Sequence, residues 1–363
     1  MKDYVNWAIL APGRIANSMA AAMNGVKNGK LAPNEQNIKN QAASGTLIDG
    51  KKINLYAVAS RNLERAQDFA NRWNFQKAYG SYEELFNDSE VDAIYIANPH
   101  AFHLESVVAA LNAGKHVLCE KPAGCSRDQL DKMTSLARSK NLFFMEAMWT
   151  AFNPCLAEVR KEIANGTIGD IINIDSRFNN RNPYDPNDRN YAPELAGGAL
   201  LDLGIYNIYF AMMMSDFSTV ESRSSQVRMI KGVDSWNSVN LTFKNGIITS
   251  FQSAMDLPNP EKSHPATIYG TKGFITMENF FMAQKAQVHV YKNIWGSESE
   301  LVRTINCPFA VNGYEYELAH ATSCILNGKT ESDIHTIKKS EDLCSIMDTL
   351  RSDWKMKYPW ETQ

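Results

Sequence analysis

Between residue 5 and about residue 146, short apolar runs of strand length alternate with stretches whose apolar residues recur at helical spacing. This alternation predicts a parallel sheet with helices wound on both faces. Residues 5–10, 55–59, 93–97, 116–119 and 142–145 read as strands; 63–73, 103–113 and 127–140 read as helices, and Asn112-Ala113-Gly114 supplies a helix stop with Gly114 just past the end. Residues 24–52 break the rhythm. They are rich in Asn, Gly, Lys and Gln, and are read as a surface insertion.

After Trp149 the pattern changes to a helix over 154–165, a strand over 171–178, a polar loop and a helix beginning near Gly198. Strands follow at 236–243 and 247–253, joined by Lys244-Asn245-Gly246, whose Asn-Gly pair marks a hairpin. More strands are expected at 266–269, 274–277 and 288–291, and helices at 314–326 and 340–355 close the chain. The expectation is an α/β protein with a doubly wound parallel sheet over 1–148, carrying the 24–52 insertion. An α+β domain over 149–363 would hold a large, mainly antiparallel open sheet. A length of 363 residues agrees with two cores.

Charge removes several function classes. With 37 basic and 40 acidic residues dispersed along the chain, no basic stripe suits nucleic acid and no polybasic patch suits a membrane. A small-molecule partner is expected. The six cysteines lack paired short spacings and several sit in apolar runs, which suggests reduced thiols, no metal and a cytoplasmic location. No basic-then-apolar leader opens the sequence, and no apolar run approaches the length of a membrane span.

Candidate chemistry collects at the carboxyl ends of the predicted strands, where open α/β sheets bind ligands. The first strand runs into Ala11-Pro12-Gly13-Arg14-Ile15-Ala16, a strand-turn-helix passage like a dinucleotide fingerprint with alanine for its first glycine. Gly13, Arg14 and Ile15 would meet a pyrophosphate at the helix N-terminus. The second strand ends in Ser60-Arg61, with Arg65 one helical turn on, and lacks the acidic residue that would hold ribose hydroxyls. A hydroxyl followed by guanidinium groups suits a 2′-phosphate, so NADP is preferred to NAD. Asn98, Pro99 and His103 follow the fourth strand and would line the nicotinamide side. His100 and His103 lack companions at metal-ligand spacing. The fifth strand stops at Glu120-Lys121-Pro122, which would present a fixed ammonium at the strand end.

Downstream, the run from Pro193 to Tyr206 reads as a Gly-rich loop opening a helix, on which Asp202 and Tyr206 are four apart and share a face.

In order and spacing these passages resemble the Gfo/Idh/MocA oxidoreductases, most closely their branch of dimeric trans-dihydrodiol dehydrogenases and D-xylose 1-dehydrogenases. The resemblance also covers Gly80-Ser81-Tyr82-Glu83-Glu84-Leu85, Glu146-Ala147-Met148-Trp149-Thr150, Gly270-Thr271-Lys272-Gly273 and Glu331-Ser332. It implies hydride exchange between a nicotinamide and a secondary alcohol of a sugar, polyol or cyclic diol. Lys121 and Tyr206 would act at the reacting oxygen with Asp202 holding substrate or lysine, and Glu120 would sit on the cofactor side. A phenol titrates near 10 in water, so proton exchange at neutral pH asks for a drop worth about 4 kcal/mol, which nearby positive charge can supply. Trp149, Phe178 and Arg189 are expected pocket-wall residues. A homodimer or higher homo-oligomer through the second sheet follows from its open face. A cofactor-binding sugar sensor without catalysis is the rival class, and a non-sugar carbonyl the rival substrate.

Overall fold

The computed structural model describes residues 2–29, 52–185 and 188–361. They form two compact units, Met1–Phe152 with Phe309–Cys344, and Asn153–Pro308 with Ser345–Gln363. The sequence reading left everything after residue 148 in one second domain, whereas residues 309–344 group with the first unit.

The first unit runs β1 (Val5–Leu10), α1 (Arg14–Lys27), β2 (Ile53–Ala59), α2 (Leu63–Trp73), β3 (Lys77–Tyr79), α3 (Tyr82–Asn87), β4 (Ala93–Ile96), α4 (His103–Asn112), β5 (His116–Glu120), α5 (Arg127–Ser139) and β6 (Phe144–Ala147). Its six strands lie in the order β3-β2-β1-β4-β5-β6 and pair in parallel throughout. Helices cover both faces of such a sheet, so β1 and β4 are buried along their whole length and read as unbroken apolar runs. Of the expected insertion, residues 24–27 complete α1, and 30–51 lie outside the described residues. Neither β3 nor α3 shows in the apolar pattern, because both are short. A capping box fixes α3: the Ser81 side chain accepts the Glu84 N–H, and the Glu84 carboxylate accepts the Ser81 N–H.

The second unit begins with α6 (Pro154–Ala164) and β7 (Ile171–Asn179). A single π-helical turn, Leu200–Gly204, then runs into α7 (Ile205–Met214), and strands follow: β8 (Val220–Ile230), β9 (Val233–Phe243), β10 (Ile248–Ala254), β11 (Ala266–Gly270), β12 (Gly273–Met277), β13 (Lys285–Tyr291) and β14 (Ser299–Asn306). The eight strands lie in the order β14-β13-β12-β11-β7-β10-β9-β8. Only β7 and β10 pair in parallel; the other pairs are antiparallel. The Asn245-Gly246 hairpin forms, with Gly246 at φ +84°. Contrary to the expectation that no apolar run approaches a membrane span, residues 193–214 are by length and composition long and apolar enough for one, yet 89% of their 18-residue apolar window is buried, as in a core helix of this unit.

Two closing helices, α8 (Tyr314–Leu326) and α9 (Ile337–Asp353), follow. Polar residues tie α8 into the first unit. The Trp7 indole N–H donates to Thr322 Oγ1 at 3.0 Å, and Asn312 Nδ2 donates to the Ser18 carbonyl at 2.9 Å. Between the helices, Glu331 accepts the Ile337 N–H at 2.9 Å and so starts α9.

Candidate functional site

On the first unit the polar candidates stand where β1 and β4, neighbours in the sheet, send their chains off in different directions. That switch point is where open α/β sheets bind ligands. Ala11 occupies the left-handed region at φ +69°, doing what a glycine would do there. Gly13 is the N-cap of α1, and no side chain caps that helix. A Cβ built on Gly13 would meet nothing closer than the Ala11 carbonyl at 4.0 Å, so packing within the chain does not require glycine at this position. The bare N-terminus and the open space above it fit a phosphate group that approaches the backbone closely.

At the end of β2, Ser60 is buried and its hydroxyl accepts the Asn62 N–H, while Arg61 and Arg65 are exposed. The Arg65 guanidinium reaches back to donate to the Pro12 carbonyl at 3.2 Å, which places its charge at the Gly13 turn. Arg14 is exposed and Ile15 partly buried in the first turn of α1.

After β4, Asn98 is buried and its Nδ2 donates to Ser106 Oγ at 2.8 Å, but its Oδ1 has no partner among the described residues. An orphaned buried acceptor beside the switch point fits an amide donor such as a nicotinamide carboxamide. Pro99 is partly buried beside it. His103 opens α4 with its ring turned to main chain, as its place at a helix start suggests. It is fully buried, with Nδ1 2.8 Å from the Pro122 carbonyl and Nε2 2.9 Å from the Asn98 carbonyl. Both ring nitrogens are thus engaged by main chain, and His103 ties the Asn98 loop to the Lys121 loop. Burial holds its pKa below the ordinary histidine value, against the pull of those carbonyls.

Lys121 is buried at the end of β5 and is joined to Pro122 by a cis peptide bond. The Glu120 carboxylate accepts the Lys121 N–H at 3.2 Å and the Tyr95 hydroxyl proton, so it supports the strand end from beneath. Behind the loop, Glu146 Oε1 accepts the Ala123 N–H at 2.9 Å and Oε2 meets His335 Nε2 at 3.1 Å. Burial works against that carboxylate, but the hydrogen bond and charge of His335 hold the Glu146 pKa below its usual value. Glu317, fully buried and unpartnered among the described residues, has its pKa pushed well upward by burial and by Glu120. Trp149 stacks on Tyr314 at 4.5 Å between ring centroids.

On the second unit, Tyr206 is buried on α7 two residues past the π turn that carries Asp202. The expected helix near Gly198 is therefore π-helical where Asp202 sits, a geometry that recurs at functional sites. Arg189 and Asp202, chosen separately from the sequence, face each other at 3.6 Å. Phe178 lies 5.6 Å from Tyr206 and 4.4 Å from Phe281 between ring centroids, and His264 packs on Phe178 at 4.2 Å.

Sequence reasoning missed several of these residues. Burial lowers the pKa of His264, and its Nδ1 is without a partner among the described residues; it lies in a loop with no motif. Asn207 accepts from Ser176 Oγ at 2.7 Å and donates to Ser253 Oγ at 3.1 Å, fixing the rotation of α7 on β7 and β10. Asp234 Oδ2 accepts the Leu200 N–H at 2.8 Å, and burial pushes its pKa up to about 7. Only the position of Asn207 next to Tyr206 could have drawn attention.

Comparison with known proteins bears on each unit separately. Residues 19–148 match the model of an oxidoreductase family with an NAD-binding Rossmann fold, and 156–276 match the Gfo/Idh/MocA C-terminal domain. The trans-1,2-dihydrobenzene-1,2-diol dehydrogenase of Xenopus laevis is 32% identical over 97% of this chain and 99% of that protein. Its Homo sapiens counterpart is 34% identical over 84% of this chain and 89% of that protein. Among solved structures, levoglucosan dehydrogenase with NADH and levoglucosan superposes at TM-score 0.81 and 19% identity, covering 98% of this chain and 100% of that one. A 3-ketoreductase from Actinomadura kijaniata with NADP and TDP-benzene gives 0.79 and 22%, covering 96% and 97%. At those identities the two structures speak for the fold, whereas the sequence relatives carry the family. The chain belongs to the Gfo/Idh/MocA oxidoreductases and is an NAD(P)-dependent dehydrogenase.

Proposed function

We propose that the protein exchanges a hydride between NADP and a CH–OH carbon of a small polyol, sugar or cyclic diol, with Lys121 and Tyr206 acting at the reacting oxygen. The observation that carries this reading is the placement of Lys121: a buried ammonium-bearing residue at the end of β5, its backbone held by Glu120 and its loop braced by Glu146. When bound, the cofactor supplies the carbon that takes or gives the hydride. Everything else falls to the chain. The α1 N-terminus and Gly13 would bind the pyrophosphate, and Asn98 Oδ1 would orient the nicotinamide amide.

Arg61 and Arg65, exposed beside Ser60, would take the 2′-phosphate and give NADP its preference over NAD. Lys121 would steady the developing alkoxide, and Tyr206 would hold or release the hydroxyl proton. Asp202 and Arg189, already paired, offer an acceptor and a donor for neighbouring substrate hydroxyls. Phe178, Phe281 and His264 would supply an apolar wall with a single polar edge, as suits a ring carrying hydroxyls on one face.

A homodimer through the second sheet is part of the same reading. Its open face carries the ladder Tyr269, Phe274, His289 and Tyr291, with Phe274 and His289 stacked at 4.6 Å, and Ile248 and Tyr269 are exposed.

Turnover and cofactor binding test the mechanism separately. Lys121→Met and Tyr206→Phe should each cut kcat about 100-fold or more while NADPH still binds, as losses of acid–base groups do. Near-normal turnover in both variants would remove the mechanism, and a higher kcat/KM with NADH than with NADPH would remove the cofactor preference.

A further inference from the structure

The first unit carries a second cluster of ligand-grade side chains, and no step of the proposed reaction uses it. His320 and Cys324 lie one turn apart on α8, with Cys324 in the last turn of the helix. The chain reverses through Gly328 at φ +67° and brings Asp333 back over the same helix end. His320 Nε2 is 3.4 Å from Cys324 Sγ and 3.4 Å from Asp333 Oδ1, and all three ligand atoms lie within 4.8 Å of one another.

The two distances from Nε2 are those of two edges of a metal-binding tetrahedron. With metal–nitrogen and metal–oxygen bonds of about 2.0–2.1 Å and a metal–sulfur bond of about 2.3 Å, the edges come to about 3.3 Å for N–O and about 3.6 Å for N–S. We propose that His320, Cys324 and Asp333 form a site for a thiophilic divalent cation of the zinc class. A mixed sulfur, nitrogen and oxygen donor set selects such an ion over magnesium or calcium, which prefer oxygen alone.

The surrounding hydrogen bonds prepare the imidazole. Ser332 Oγ accepts the N–H groups of Ile334 and His335 at 3.0 and 2.9 Å, which directs its own proton to His320 Nε2 at 2.9 Å. Nε2 therefore carries the lone pair of the neutral ring, and a cation would take it over from the Ser332 hydroxyl proton. Cation binding would then release the thiol proton to solvent. The Asp333 side chain is 64% exposed and gives the ion a way in, and a water or the Ser332 hydroxyl completes the fourth position.

Lys329 opposes the site. Its ammonium lies 2.8 Å from Asp333 Oδ2 and competes with the cation for that carboxylate. The loop that the ion would pin is tied to β6, because Thr330 accepts the Phe144 N–H at 3.1 Å and His335 meets Glu146. A bound cation would fasten the end of α8 to this loop and stiffen the brace behind Lys121.

Cobalt reports thiolate ligation by its charge-transfer absorption, independently of turnover. Full-length protein stripped with a chelator should bind one equivalent of Co²⁺ with that absorption, and Zn²⁺ should displace it and raise the thermal midpoint. Cys324→Ser, which keeps the size of the side chain, should abolish the absorption and weaken binding about tenfold or more, and Lys329→Ala should tighten it. An absence of saturable Co²⁺ uptake, or an unchanged absorption in Cys324→Ser that points to another of the buried cysteines, would overturn the assignment.

Discussion

Asp234 holds the Gly-rich turn in place through Leu200: its Oδ2 accepts the Leu200 N–H at 2.8 Å, while its Oδ1 stands 2.4 Å from where a side chain on Gly198 would begin. With φ at +122°, Gly198 is the residue that can pass there. The π turn bearing Asp202 and the helix bearing Tyr206 thus start from one buried carboxyl.

Stability should carry the signature of that carboxyl. Desolvation raises the Asp234 pKa to about 7 against the opposing bonds from Asn237 and Leu200, whereas the unfolded chain titrates near 3.9. Its contribution is therefore full below the unfolded value and is lost as pH rises through about 7. Asp234→Asn should match the parent near pH 3 and exceed it at pH 8, by on the order of 4 kcal/mol. Urea unfolding at the two pH values checks this, and a difference independent of pH would contradict it.

What the sequence disclosed follows from how each element is buried. Strands covered on both faces, such as Val5–Leu10 and Ala93–Ile96, announce themselves as apolar runs, and the strand-end positions Gly13, Ser60 and Lys121 follow from them. By contrast β8 and β14 lie at the two edges of their sheet and are largely exposed, so Val220–Ile230 and Ser299–Asn306 lack the alternation that marks a strand. His103 was legible as a residue near the site but not as a brace, because its partners are carbonyl groups, which any residue carries. Asp234 and His264 were invisible for a related reason: each acts on a residue distant in the chain and belongs to no local motif.

Ala11 offers a direct test of the dinucleotide turn. A non-glycine residue in the left-handed region costs about 1–2 kcal/mol, and at φ +69° Ala11 bears that strain. Ala11→Gly should raise folded-state stability by about 0.5–1 kcal/mol, the relief being partly offset by the greater freedom of glycine when unfolded. Thermal unfolding of the cofactor-free protein is the measurement. An unchanged or lower midpoint would place the backbone elsewhere.

The Glu146–His335 pair should matter both for stability and for the Lys121 loop. Removing one partner of a buried pair leaves the other uncompensated, so His335→Ala should cost about 3 kcal/mol at neutral pH. Because the Glu146 pKa is lowered, its stabilisation is present above the unfolded value of about 4.3 and disappears as pH falls through the folded one. The gap between parent and variant should accordingly close in acid. Denaturant titrations from pH 7 down to pH 3 would show this, and a constant gap would deny the pair its electrostatic role.

The indole of Trp7 finds its hydroxyl partner 315 positions later, on a helix synthesised long after its own strand. A ribosome adding about 5–20 amino acids per second needs roughly 10–40 s to travel from the end of β6 to residue 344. For that interval the nascent nucleotide-binding half lacks the layer that seals one side of its sheet, and greasy surface around Trp7 and α1 stays open to misassociation. A fragment cut after β6 should inherit the same defect permanently, so this half cannot be harvested as a soluble, minimal cofactor-binding module by truncation alone.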